Sequence, residues 1–158
     1  MYSFELTEDV SLIKSVLAHP ACYRKLHDDY APPREEWEPL MGEPMVKYIS
    51  CSDEQGEVLG MFQANLHSAV EVEMHTAFLP KAWGRDVRAA VREGIQWIWD
   101  TFPTVHRIIG KILDCNTASL HYAEAVGLKV FGIDKRSFMY QGQLQDQVYV
   151  GISRPEVA

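Results

Sequence analysis

VEVEMHTAFLP-KAWGRD-VRAAVREGIQWIWDTF, residues 70–102, decides how the chain folds. The first eleven residues alternate and are rich in β-branched side chains, which predicts a strand. KAWGRD holds a glycine and predicts a tight turn. In the last sixteen, Val87, Ala90, Val91, Gly94, Ile95 and Ile98 recur at helical spacing, with Arg88, Arg92, Glu93, Gln96 and Asp100 on the other faces. Pro103 stops that helix. A strand feeding a helix through such a turn presents free backbone N–H groups at the helix start, a ready site for a phosphate-bearing ligand.

Upstream, Tyr2 to Leu6 predicts an edge strand, and Thr7 is an N-cap candidate for a helix striped by Val10, Ile13 and Leu17. Pro20 interrupts, and Ala21 to Tyr30 predicts a second helix. The segment 31–44 holds Pro32, Pro33, Pro39, Pro44 and Gly42, so it reads as a loop with one helical turn around Glu35 to Leu40. It carries Trp37, which is costly to leave in water. Val46 to Cys51 and Val58 to Leu66, joined through Asp53 to Gly56, predict a hairpin that continues into the 70–79 strand.

Downstream, HRIIGKIL is a strand, and Asn116 caps a helix over TASLHYAEAV that Gly127 closes. LKVFGI is a further strand, and SFMYQG and QDQVYVGIS form a final pair connected near Gln141 to Gln145. The strand–helix–strand unit in the middle demands a parallel crossover. The expected architecture is α+β (mixed α/β), one domain over residues 1–158, with a mostly antiparallel sheet of six to seven strands flanked by helices.

The 158 residues, 47% hydrophobic and 11% aromatic, are enough for an ordinary core. A net charge of −7 argues against non-specific binding to nucleic acid or anionic membrane. No apolar run approaches the roughly 20 residues that span a bilayer. Cys22, Cys51 and Cys115 are odd in number and widely spaced, which predicts reduced thiols in a cytoplasmic protein. His67, His75, His106 and His121 share no ligand spacing, so no metal is expected.

Several motifs together resemble the GCN5-related N-acetyltransferase (GNAT) superfamily, and within it the branch that acetylates ribosomal-protein N-termini. Arg107-Ile108-Ile109, followed by Asp114-Cys115-Asn116-Thr117-Ala118-Ser119-Leu120, resembles that branch's R-I strand and N-x-x-S helix start. Val126-Gly127-Leu128 stands where the branch has G-F, and Pro80-Lys81-Ala82-Trp83-Gly84-Arg85 resembles its P-x-Y-W-G-K turn. Glu73 falls in its E-x-G-Y strand, and Gln141 to Asp146 resembles its last turn. The resemblance implies the acyl-CoA N-acyltransferase fold. It implies direct transfer of acetyl from acetyl-CoA to an amine on a small molecule, a protein N-terminus or a lysine. It also implies a V-shaped split between two core strands, and a homodimer, since many relatives pair. The implied cofactor contacts are Phe78, Leu79, Trp83, Gly84, Arg85, Asp86, Val87, Arg88, Asn116 and Ser119.

The chain departs from the family at the turn itself. Asp86 and Arg88 stand where small residues let the backbone approach the pyrophosphate, and Asp86 adds a negative charge there. Acetyl-CoA binding is therefore in doubt at this point. The alternative is a catalytically degenerate GNAT-fold binding or structural module; its small size, acidity and altered turn suit a phage-type protein. Lys81, Arg85 and Arg88 are candidate phosphate clamps, since cations are unfavourable at a helix start without a purpose. Glu73 or His75, on one face of the strand, is the candidate base. The family's frequent acid, a Tyr seven residues after the Asn, falls at Ala123; Tyr122, one position off, is the candidate that remains.

Overall fold

The computed structural model describes residues 1–156. The elements run β1 (Ser3–Leu6), α1 (Val10–Leu17), α2 (Tyr23–Leu26), a 3-10 turn (Arg34–Glu36), β2 (Val46–Ser52), β3 (Val58–Leu66) and β4 (Glu71–Phe78). A second 3-10 turn (Pro80–Ala82), α3 (Val87–Thr101), β5 (Arg107–Leu113), α4 (Thr117–Ala125), β6 (Lys129–Tyr140) and β7 (Gln143–Ser153) follow. They build one seven-stranded sheet in the order β1-β2-β3-β4-β5-β7-β6. Every pairing is antiparallel except β4 with β5. The mixed α/β architecture expected from the alternation of patterns is the one observed.

The period-two alternation of the strands sorts their side chains onto two faces. On one face, Ile49, Phe62, Val72, Met74, Ile108 and Val150 meet Val91, Ile95 and Ile98 of α3 and Ala123 and Val126 beside α4. Contact here is close: a Cβ on Gly94 of α3 would lie 1.9 Å from the Phe62 ring. On the other face, Ile13, Val16 and Leu17 of α1 pack with Tyr23 and Trp37 over Tyr48, Met61 and Ala77. Trp37 is thus buried by the loop that carries it.

The parallel pair is short. Its register is Glu71↔Arg107, Val72↔Ile108 and Glu73↔Ile109, and no pairing follows. From Met74 onward β4 keeps only β3, and from Gly110 onward β5 keeps only β7. The strands diverge there, leaving two backbone edges that face each other across a gap.

Four local expectations need correction. Asp9 rather than Thr7 caps α1, its carboxylate accepting from Leu12 N at 3.1 Å, while Thr7 Oγ1 accepts from Asp9 N. The helix expected over Ala21 to Tyr30 is only Tyr23–Leu26, because His27 turns extended and stacks on Tyr23, ring centroids 4.3 Å apart. The turn expected at Glu35 to Leu40 lies at Arg34–Glu36, ahead of Pro39. LKVFGI and SFMYQG are one strand, β6, with three residues bulged out between Asp134 and Phe138. Asp146 holds that bulge, taking Arg136 N at 2.8 Å and Lys135 Nζ at 2.9 Å.

Candidate active site

The gap between β4 and β5 is a cavity of about 210 Å³. Met74, His75 and Thr76 line it from β4, Gly110, Lys111 and Ile112 from β5, and Asn116, Ser119 and Tyr122 from α4 and its cap. Gly110 lines the gap closely: a Cβ there would sit 3.3 Å from Val150 and 3.7 Å from the Met74 carbonyl. Asn116 Oδ1 accepts from Ser119 N at 3.2 Å, so it caps α4 and lines the cavity at once.

Glu73 and His75 project from β4 on the side of α1 and α2, beside Asn65 and Gln63 of β3. The Glu73 carboxylate, only 13% exposed, binds an imidazole on each oxygen. Oε1 is 2.8 Å from His75 Nε2, and Oε2 is 2.9 Å from His67 Nε2. His67 Nδ1 in turn lies 3.5 Å from Glu71 Oε1. The hydrogen bond from His75 holds the Glu73 carboxyl below its ordinary value, against the opposing effect of burial. An imidazole that donates through Nε2 carries its neutral lone pair on Nδ1. With Nε2 against Glu73, His75 keeps its Nδ1 as the ring atom able to accept a proton, and Glu73 orients the ring.

The two candidate bases, Glu73 and His75, are in contact, and His67 joins them. No spacing signal marked His67, because it reaches Glu73 across the β3–β4 turn. Lys111, on the adjacent strand, is engaged by Asp134 at 3.0 Å and lies 5.0 Å from the Tyr149 ring centre. Burial and then the charge of His75 lower the tendency of nearby His27 to protonate.

Tyr122 does not stand free as an acid. Its hydroxyl donates to the Val87 carbonyl at 2.8 Å, tying α4 to the first turn of α3, and burial raises it far above an ordinary phenol. Ala123, at the family's tyrosine position, is buried in the core.

The phosphate turn takes a form the family pattern does not require. Asp86 is the N-cap of α3, and its Oδ1 accepts from Ala89 N at 3.3 Å. Val87 N is turned to the Arg85 carbonyl at 2.9 Å. Arg85, a candidate clamp, points to the β2–β3 hairpin, 2.6 Å from Asp53 Oδ2 and 3.7 Å from Glu57. Lys81 is likewise held by Glu57 at 2.9 Å. Arg88 is exposed and forms no ion pair among the described residues. Gly84 is not enforced by crowding, since a Cβ there would meet nothing within 4 Å. Phe78 packs on Phe62 while its carbonyl takes the Trp83 indole N–H at 3.0 Å, and Leu79 N returns to Leu59. Trp83 remains 57% exposed beneath Lys25. The cleft between the diverging strands is open, while two of the three candidate clamps at the turn, Lys81 and Arg85, are already paired with Glu57 and Asp53.

No family model and no curated protein matches the chain by sequence. Solved structures do match in shape. Spermidine N-acetyltransferase from Vibrio cholerae, in complex with CoA and spermine, superposes with a TM-score of 0.78 at 15% identity, covering 96% of this chain and 95% of that one. A putative phosphinothricin N-acetyltransferase gives 0.75 at 17% identity, covering 99% and 100%. The chain has the GNAT-type acyl-CoA N-acyltransferase fold.

Proposed function

We propose that the protein is an N-acyltransferase that moves an acyl group, acetyl in the simplest case, from a thioester to the amine of a small molecule. The observation that carries this reading is the split between β4 and β5 with the His75–Glu73 pair on its rim. The similar structures support a small-molecule amine as acceptor, being named N-acetyltransferases of spermidine and of phosphinothricin. The Asn116 to Gly127 motif supports the finer placement near the ribosomal-protein branch, with protein N-termini as the corresponding acceptors.

The chain's own residues supply proton handling and alignment. An ammonium substrate is drawn to the side of the sheet bearing Glu71 and Glu73, loses its proton to His75 Nδ1, and becomes a nucleophile. Glu73 balances the imidazolium, and His67 shares that carboxylate. As the amine nitrogen bonds to the acyl carbon the C–S bond breaks, and the nitrogen's surplus proton passes to the departing thiolate, whose thiol has an ordinary pKa of about 8.5, so no separate acid is needed. That is consistent with Tyr122 being committed to Val87.

The test is amine-dependent thiol release, with spermidine and α-amino acids as acceptors and acetyl-CoA and S-acetylpantetheine as donors. His75→Ala is expected to lower turnover about 10²-fold or more. Absence of release with every donor and acceptor would leave the second reading, a non-catalytic module, which the altered turn favours.

A further inference from the structure

We infer that the donor is recognised through its pantetheine thioester arm alone, and that the nucleotide diphosphate of a CoA adds no affinity. The inference rests on the transferase reading above and names its donor class: acyl-pantetheine thioesters. Two independent features point the same way. The arm's binding surface is intact: the backbone edge of β4 beyond Glu73 is unpaired toward β5, and a cavity lined by Gly110 lies between them. An extended, amide-bearing arm is what such an edge recognises, by adding as a strand.

The diphosphate surface, in contrast, is partly taken up by the protein's own groups. An anion at a helix start needs free N–H groups and surplus positive charge. Asp86 places its own carboxylate on Ala89 N. Lys81 and Arg85 are neutralised by Glu57 and Asp53. Arg92 donates to the Ala125 carbonyl. Tyr2 lies over the turn, its hydroxyl donating to the Asp86 carbonyl at 3.2 Å, with its backbone N–H on Glu93 at 2.9 Å. Around the turn, Lys81, Arg85, Arg88 and Arg92 face Asp53, Glu57, Asp86 and Glu93, so the positive charge there is largely offset by the protein's own carboxylates. An internal carboxylate stands where the ligand's anion would be.

Calorimetric titration of the full chain with acetyl-CoA, S-acetylpantetheine and adenosine 3′,5′-diphosphate tests this. Acetyl-CoA and S-acetylpantetheine are expected to bind within about threefold of each other, with no measurable binding of the nucleotide. Asp86→Ser, which keeps a capping oxygen and removes the charge, is expected to tighten acetyl-CoA about tenfold and leave S-acetylpantetheine unchanged. Asp86→Gly serves the same purpose, since Gly is well tolerated at an N-cap. Acetyl-CoA binding more than about tenfold tighter than S-acetylpantetheine, or displacement of either thioester by the nucleotide, overturns the inference and leaves the transferase reading standing. Failure of both thioesters to bind overturns the two together.

Discussion

Replacing Glu73 with Gln separates the site's electrostatics from its packing, because shape is kept while charge is lost. In the native protein one carboxylate lies against two imidazoles, 2.8 Å from His75 Nε2 and 2.9 Å from His67 Nε2. A hydrogen bond to a charged acceptor contributes about 1.5–3 kcal/mol. The amide of Gln keeps one acceptor oxygen, so one bond survives in weaker form, and His67 is open enough to water to recover part of its loss. The expected destabilisation is about 2 kcal/mol, or a fall in Tm of about 4–8 °C for a domain of this size. The pH dependence has a definite sign. The Glu73 carboxyl is held below its ordinary value of 4.5, first by His75, so its contribution is fully present above that value and is lost as the pH falls through the lower folded one. Urea denaturation of the two proteins from pH 7 to pH 3 should show curves that run apart above about pH 4.5 and converge below it. A Tm within about 1 °C of the wild type at neutral pH, or a gap independent of pH, would refute the shared-carboxylate reasoning.

Tyr122→Phe deletes the bond to the Val87 carbonyl and should cost about 0.5–1.5 kcal/mol in denaturant, with turnover falling by much less than the roughly 10²-fold expected of an acid catalyst. Gln141 holds φ 51° in the two-residue turn with Gly142, a conformation that Asn adopts more readily; Gln141→Asn should raise Tm by about 1–2 °C in a calorimetric scan. Cys51 is buried and its thiol pushed up to about 12, and Cys22 is also buried and raised, whereas Cys115 is exposed. A thiol reagent at pH 8 should therefore modify one cysteine rapidly in the folded chain and the other two only on unfolding.

The sequence by itself determined the elements and their order. Strand alternation in VEVEMHTAF, the helical stripe of α3, Asn116 and Gly127 as caps, and the crossover between β4 and β5 are all read from neighbours within a turn or two. Capping, periodicity and turn chemistry act over those distances, so they leave a local record. Asp86 shows how far such a record reaches: its mismatch with a phosphate turn was visible in the chain, and so was its fitness as a cap. The local record failed where a competing contact came from far away. The second helix stops short at His27, and Asp29 just beyond it accepts from Gln141 N and Gly142 N, 112 and 113 residues on.

Only the tertiary structure decided which of these side chains meet. Glu73 and His75 share a strand face by period two, but His67 joins them because the β3–β4 turn folds it back onto Glu73. Arg85 reads as a phosphate clamp in the chain and becomes the partner of Asp53, 32 residues earlier, only when the hairpin lies beside the turn. Tyr122 reads as an acid and becomes a strut once Val87 is near. A side chain's reactivity depends on which groups share its few ångströms of space, and that neighbourhood is set by packing across the sheet, which no spacing along the chain encodes.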